Sequence, residues 1–462
     1  MCLFIAAIDT FTGVKITVMK FDKVWKWSLI ASMGGFLFGF DTAVISGAEQ
    51  AIQSQWGLSD TMIGQVVAMG LYGTVIGALF AGMLADRYGR KKLLIAISIL
   101  YLLSAIGSAM APEVISLMLF RLVGGLGVGA SSVVAPMYIA EIAPPEQRGR
   151  LTALFQFNLV AGILLAYVSN YIIGDGGGTG WRIMLGVEIV PAVIFAGLIF
   201  IVPKSPRWLV TKAGDIKQAL SVLSLIDPES ADRTLQEIKR SDTIKETVGL
   251  RHFLSGRFNL PILLAFLIAF FNQVSGINAV IYYAPRIFDM TGMDASSSLL
   301  SSAGIGAVNL IFTIVGLSLI DRMGRRFLMF IGSLGYIVSL SFVAYTFYTS
   351  SFGGIMVPVW LFVFIASHAI GQGAVIWVFI SEIFPNEVRG FGQSFGCGTH
   401  WVMAAIIAGV FPYVVGEIGG GAIFTFFALM MVFQLLFVWK MMPETKGRSL
   451  EDLEKHLSKN SL

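Results

Sequence analysis

Three residues of this chain combine charge with an apolar setting: Asp41, Arg121 and Glu188 each fall inside a long run of hydrophobic residues. A charge inside such a run is costly to bury, so it is retained for a function or for a partner. Asp41 lies 8 residues before Glu49, and Arg121 lies 8 residues after Glu113. At 1.5 Å per residue both sit roughly 12 Å from the same end of their helices. Equal depth permits an ion pair, and Glu188 falls at a similar or slightly shallower level. Burial favours the neutral acid, whereas a neighbouring guanidinium favours the carboxylate. A conformational change that alters either influence takes up or releases a proton. Asp41, Arg121 and Glu188 are therefore the expected proton-coupling residues, and a simple helix clamp is the plainer alternative.

A second set is polar but uncharged. Gln156, Gln273, Asn278 and Asn309 interrupt apolar runs, together with Tyr282, Tyr283, Trp377 and Trp401. Carboxamides donate and accept at once, and aromatic faces pack against C–H surface. That pairing suits a neutral polyhydroxyl ligand, although any single amide could equally join two helices.

A third set repeats. Asp86-Arg-Tyr-Gly-Arg90 returns as Asp321-Arg-Met-Gly-Arg325, 235 positions later. The Glu141 to Arg148 spacing returns as Glu382 to Arg389, 241 positions later, and Pro203-Lys-Ser-Pro-Arg is matched in place by Pro443-Glu-Thr-Lys-Gly-Arg. Three signals share nearly one offset, about half the chain. Asp86, Arg87, Arg90, Glu141, Arg148, Asp321, Arg322, Arg325, Glu382 and Arg389 all fall at one end of their spans. Acids and bases so placed are expected to form a cytoplasmic gate, with pairs across the two halves that must break when it opens.

The elements that position these groups follow from composition. Only 60 of 462 residues are Asp, Glu, Lys or Arg (13%), and 56% are hydrophobic. A soluble fold needs about twice that share of charge, so a soluble enzyme and a disordered chain are both excluded. A net charge of +4 is too small to argue for nucleic acid. Twelve apolar runs are long enough to span a bilayer: 26–48, 61–84, 93–111, 114–140, 151–173 and 183–202, then 259–287, 297–320, 327–348, 356–382, 391–415 and 421–442. The Lys and Arg of the connections collect on one side, which predicts cytoplasmic termini. The expected organisation is an all-α membrane protein: an N-terminal segment 1–24, a six-helix half 25–203, a cytoplasmic linker 204–257 with two short amphipathic helices, a second half 258–442, and a tail 443–462. Two halves in parallel repeat suit a rocking carrier with its ligand held between them.

Other features exclude more than they assign. Cys2 and Cys397 form no disulfide framework and no metal spacing, so neither a metal nor a cofactor is expected. Gly125-Leu-Gly-Val-Gly-Ala130 fits a loose dinucleotide pattern but lies mid-span with no preceding strand, which favours helix packing. No enzyme constellation converges in the spans. Met19 offers a second start after an apolar but short Met1–Ile8 stretch.

Taken together, these motifs resemble the sugar porter family of the major facilitator superfamily. The resemblance rests on Gly39-Phe-Asp41-Thr-Ala-Val-Ile-Ser-Gly47, the two Asp-Arg-x-Gly-Arg and two Glu-x6-Arg signatures, Pro203-Lys-Ser-Pro-Arg207-Trp, Gln273-Val-Ser-Gly-Ile-Asn278-Ala-Val-Ile-Tyr-Tyr283 and Pro443-Glu-Thr-Lys-Gly447, over about residues 25–455. It implies secondary active import of a neutral hexose or pentose with a proton, by a monomer in a plasma or bacterial inner membrane. An uncoupled sugar or polyol carrier and a non-transporting sugar sensor are the alternatives. It also implies sugar contacts at Gln156, Gln273, Asn278, Asn309 and Trp377. Proton-coupled members carry Asp at the position of Asp41, and facilitative mammalian members carry Asn. Two positions depart from the pattern: Asn272 stands where many members have a second Gln, and His400 stands before Trp401 where relatives carry Gln or Asn. His400 can bind sugar, titrate or merely pack, and His368 reads as structural.

Overall fold

In lipid, a backbone can satisfy its own hydrogen bonds only as a helix or a closed barrel. The computed structural model describes residues 23–145, 147–174, 178–243, 249–351, 355–385 and 387–447, and among these it contains helices and no strand. Residues 1–22, with the two alternative starts, and residues 448–462 of the expected tail lie outside the described residues.

The first half consists of α1 (Lys23–Trp56), α2 (Asp60–Tyr88), α3 (Arg90–Met110), α4 (Val114–Ile142), α5 (Arg148–Ile173) and α6 (Gly180–Ile201). The linker carries α7 (Ile216–Ile226) and α8 (Ala231–Thr243) on a small core of Leu209, Ala219, Val222, Leu223, Ala231 and Leu235. The second half contains α9 (Asn259–Asp289), α10 (Ala295–Met323), α11 (Arg325–Thr349) and α12 (Met356–Glu382). It closes with a 52-residue helix, Arg389–Lys440, which is interrupted at Gly419 (φ 81°, ψ 162°). A left-handed residue cannot continue an α-helix, so this run forms two spans, α13 (389–418) and α14 (420–440). Twelve spans result among the described residues.

The spans begin and end near the expected positions, with one informative exception. The run expected over 26–48 continues as α1 to Trp56, because the polar residues Glu49, Gln50 and Gln53 stay helical beyond the apolar stretch. The helix stops only at Gly57, whose φ is 59°.

Small residues set the packing. A Cβ added at Gly73 or Gly125 would strike the opposing backbone of α4 or α2, so the dinucleotide-like stretch is a close helix contact of the kind that lipid-embedded bundles favour. The largest seams between the halves join α2 to α13, α10 to α5 and α9 to α1. Large apolar side chains face outward along the bundle, including Leu79, Phe80, Met83, Leu119, Ile172, Phe200 and Trp439. Exposed to water they would be an aggregation surface; in acyl chains they are solvated. The chain is a multi-pass integral membrane protein.

Candidate functional site: a buried ion pair beside a cluster of amides and rings

Asp41 on α1 and Arg121 on α4 form an ion pair, with Arg121 Nη1 donating to Asp41 Oδ1 at 2.8 Å. The residues are 5% and 2% exposed. Glycine makes the room: a Cβ at Gly70 would lie 3.0 Å from Arg121 Nη2, and one at Gly124 would lie 3.8 Å from Asp41 Oδ1. Glu188 is buried on α6, close enough to interact electrostatically with both Asp41 and Arg121. It sits at a turn in α6, between the helical stretches Gly180–Val187 and Ile189–Leu198. Pro191, which has no N–H to offer the carbonyl of Val187, weakens the helix at that point. Glu188 Oε1 and Arg121 Nε are buried without hydrogen-bond partners. The expected trio is thus brought together, with bonding capacity still open on two of its members.

Six of the expected ligand residues form one connected cluster in the second half. On α9, Gln273 Nε2 donates to Asn272 Oδ1 at 2.9 Å, and Asn278 Nδ2 donates to Gln273 Oε1 at 2.7 Å. Gln273 Nε2 also lies 3.1 Å from His400 Nδ1. The His400 ring packs on Trp377 at a centroid distance of 4.9 Å and on Trp401 at 4.7 Å. The backbone explains how one helix offers three amides: α9 breaks at Gly276 (φ 85°), which turns Asn278 back towards Gln273. Trp377 is 37% exposed. Tyr282 is buried on α9. Asn309, one turn from Gly306, and Gln156, two turns from Leu164, flank the seam where α10 meets α5. Both lie outside the hydrogen-bonded cluster. Asn309 accepts from Thr313 Oγ1 at 3.4 Å.

One residue that sequence reasoning passed over links the two sites. Phe38, one helical turn from Asp41, lies against Trp401 at a centroid distance of 5.4 Å. The proton-type group and the ligand-type cluster are therefore connected through one ring contact between the halves. No sequence signal marked Phe38 beyond its three-residue spacing from Asp41.

The repeated clusters build two matching cages. Arg90 pairs with Glu141 at 2.9 Å and with Asp86 at 2.9 Å; Arg325 pairs with Glu382 at 2.8 Å and with Asp321 at 3.2 Å. Ser205 donates to Glu141 at 2.5 Å and Thr445 donates to Glu382 at 2.6 Å. Each of these ion pairs closes inside its own half, not across the halves. The reason is local: Gly89 and Gly324, both with φ 89°, turn the chain so that the following Arg faces the carboxylates of its own bundle. Arg87, Arg148 and Arg322 are exposed, and Arg389 Nε donates to Phe384 O at 3.4 Å.

Bonds between the halves gather at the opposite end. Arg286 Nε on α9 donates to Glu49 Oε1 on α1 at 2.9 Å, and its Nη1 lies 3.4 Å from Asp60 Oδ1 on α2. Gln50 Nε2 donates to Asp289 at 3.3 Å. Pro285 cannot bond the carbonyl of Ile281, and Tyr167 on α5 takes that carbonyl instead at 2.6 Å. Within the second half, Pro412 likewise leaves the carbonyl of Ala408 open, and Tyr283 donates to it at 2.8 Å. Glu49 and Arg286 were legible only as charges near span ends; their pairing depends on how the halves meet.

Comparison with known proteins agrees with this geometry. The family model described as "Sugar (and other) transporter" matches residues 27–457. The arabinose-proton symporter of Bacillus subtilis is 37% identical, over 93% of this chain and 94% of its own length. The D-xylose-proton symporter of Escherichia coli K12 is 34% identical, over 93% and 95%. Among solved structures, an inward open conformation of the xylose transporter XylE from E. coli superposes with a TM-score of 0.83, at 33% identity over 94% of this chain and 99% of that one. XylE bound to 6-bromo-6-deoxy-D-glucose gives 0.78, at 34% identity over 94% and 99%. Matched along nearly its whole length, the chain belongs to the sugar transporter family of the major facilitator superfamily.

Proposed function

We propose that this protein imports a neutral monosaccharide, a hexose or pentose, together with a proton, by alternating access between its halves. The observation that carries the reading is the buried Asp41–Arg121 pair one helical turn from Phe38, whose ring lies against Trp401 of the amide cluster. Protonation of Asp41 releases Arg121 and lets the loaded carrier change conformation, with Glu188 as the neighbouring acid. Each proton moved inward supplies roughly 2.3 kcal/mol per 100 mV of membrane potential. Gln156, Gln273, Asn278, Asn309, Trp377, Tyr282, Asn272, His400 and Trp401 are the sugar contacts in this reading. The arabinose- and xylose-proton symporters among its relatives support both the ligand class and the coupling ion.

The arginine-rich end faces the cytoplasm in this reading, with both termini on that side, and a monomer suffices. The arrangement described is then inward-facing: Glu49–Arg286 and Tyr167–Ile281 hold the outer side shut. The two inner cages are the surfaces that must approach each other when the inner side closes. The test is a pH electrode in weakly buffered vesicles containing the purified protein. Adding arabinose or xylose should raise the external pH, and a protonophore should abolish accumulation. Sugar entry without any pH change would leave an uncoupled carrier.

A further inference from the structure

A chain of buried side-chain hydrogen bonds runs from the amide cluster through three further helices, and its direction is set at its far end. Ser333 Oγ on α11 donates to the Met329 carbonyl at 2.7 Å. With its hydrogen on that carbonyl, the hydroxyl oxygen is left to accept from its other neighbour. That neighbour is Gln434 on α14, whose Nε2 donates to Ser333 Oγ at 2.8 Å. The Gln434 oxygen then faces Gln372 on α12, which donates through Nε2 at 2.9 Å. The Gln372 oxygen in turn accepts from Asn272 Nδ2 at 3.4 Å. This leaves Asn272 Oδ1 to accept from Gln273 Nε2, and Gln273 Oε1 to accept from Asn278. Ser333, Gln434, Gln372 and Gln273 have no exposed surface, and Asn272 is 2% exposed.

Turning over Gln372, Asn272 or Gln273 would place oxygen against oxygen and nitrogen against nitrogen at two contacts, each leaving a polar group unsatisfied. The amides therefore keep their orientation together. Gln372 has a second hold: it is the first residue after Gly371, where α12 breaks (φ −86°, ψ −99°), and it starts the helical stretch that carries Trp377.

We propose that Gln372, Gln434 and Ser333 are positioning residues for the sugar site. They never touch the ligand. They determine which edge of Gln273, and through it Asn278, is presented to it. With both Gln273 hydrogens engaged by Asn272 and His400, the site keeps its remaining acceptors, notably Asn278 Oδ1, for sugar hydroxyl hydrogens. This inference rests on the reading of Gln273 and Asn278 as sugar contacts, and the test separates the two.

The experiment measures transport kinetics in proteoliposomes for Gln372→Met, Gln434→Met, Gln273→Ala and the double variant Gln372→Met with Gln273→Ala. Each would be assayed on arabinose or xylose and on a panel of their deoxy analogues. Gln372→Met is expected to raise KM about five- to tenfold with little change in kcat, the loss of one or two hydrogen bonds to ligand. It should raise KM no further once Gln273 is gone, because it acts through that residue. Its penalty should also vanish for the analogue lacking the hydroxyl that Gln273 binds. Ser333→Ala, which removes a single atom, gives a gentler variant should the methionines fold poorly; about a two- to threefold rise in KM is expected. A KM raised by Gln273→Ala but not by Gln372→Met or Ser333→Ala would overturn the positioning role alone, as would additive effects in the double variant. An unchanged KM in Gln273→Ala would overturn the sugar site itself, and the positioning role with it.

Discussion

The two halves of this protein are alike where they meet one surface of the membrane and unlike in their centres. At the arginine-rich end the duplication extends to individual atoms. Arg90 Nη1 donates to the Ala85 carbonyl at 3.1 Å, and Arg325 Nη1 donates to the Ile320 carbonyl at 3.1 Å. Each Arg holds a Glu at the far end of the next span, and each Glu accepts a hydroxyl from the stretch following the sixth span of its half. In the centre the correspondence ends. The first half buries an ion pair and a third acid, whereas the second buries neutral amides and imidazole. The repeated part is scaffold, which both bundles need in order to fix their helix ends. On the proposed reading the unrepeated part is chemistry, with charge for a proton on one side and neutral donors and acceptors for a hydroxylated ligand on the other.

Four experiments press on this division. The largest effect is expected from Asp41→Asn, which should reduce uphill sugar accumulation more than tenfold while leaving sugar exchange across vesicles intact. Accumulation that persists in this variant would remove the proton from the first half. Next, Arg90→Gln and Arg325→Gln should each destabilise the protein by about 2–3 kcal/mol, since each strands a carboxylate in a mostly buried cage. Thermal unfolding in detergent should show similar losses, and a large loss in only one variant would mean that the cages are not equivalent. Gln273→Ala comes third, with KM raised about tenfold and the proton-to-sugar ratio unchanged. A changed ratio would place coupling in both halves. The smallest effect belongs to Tyr167→Phe, which frees the Ile281 carbonyl at a cost of about 1 kcal/mol. Labelling of a cysteine introduced at Gln50 should become faster as the outer seam loosens, and unchanged labelling would argue that Arg286 alone holds it.

Much of this was legible beforehand, for identifiable reasons. Helix periodicity does not matter to a span that must be apolar all round, so length and hydrophobicity were sufficient to find the spans. The exception was α1, where Glu49 and Gln53 looked like the end of a span. They continue the helix because Arg286 from the other half partners them. Asp41, Arg121 and Glu188 could be grouped because buried charge is rare enough to stand out. The repeated acids and bases stood out by their repetition, and they pair within each half in this arrangement, which the proposed function takes as inner-side open. Sequence spacing cannot distinguish a partner on the neighbouring helix from one on the facing bundle. Gln372, Gln434 and Ser333 drew no attention, since single polar residues in apolar spans are common and their meaning lies in contacts 62 to 104 positions apart.

Composition, run length, charge sidedness and the internal repeat by themselves determine that this chain spans a membrane twelve times in two related halves, because each of these is a cost or a periodicity written along the chain. The tertiary structure alone decides that Arg286 bridges the halves, that the cages close within them, and that one direction runs through five amides and a hydroxyl. Those outcomes depend on which helix faces come within 3 Å of one another, and hydrogen bonds are too short-ranged and too directional to be inferred from spacing alone.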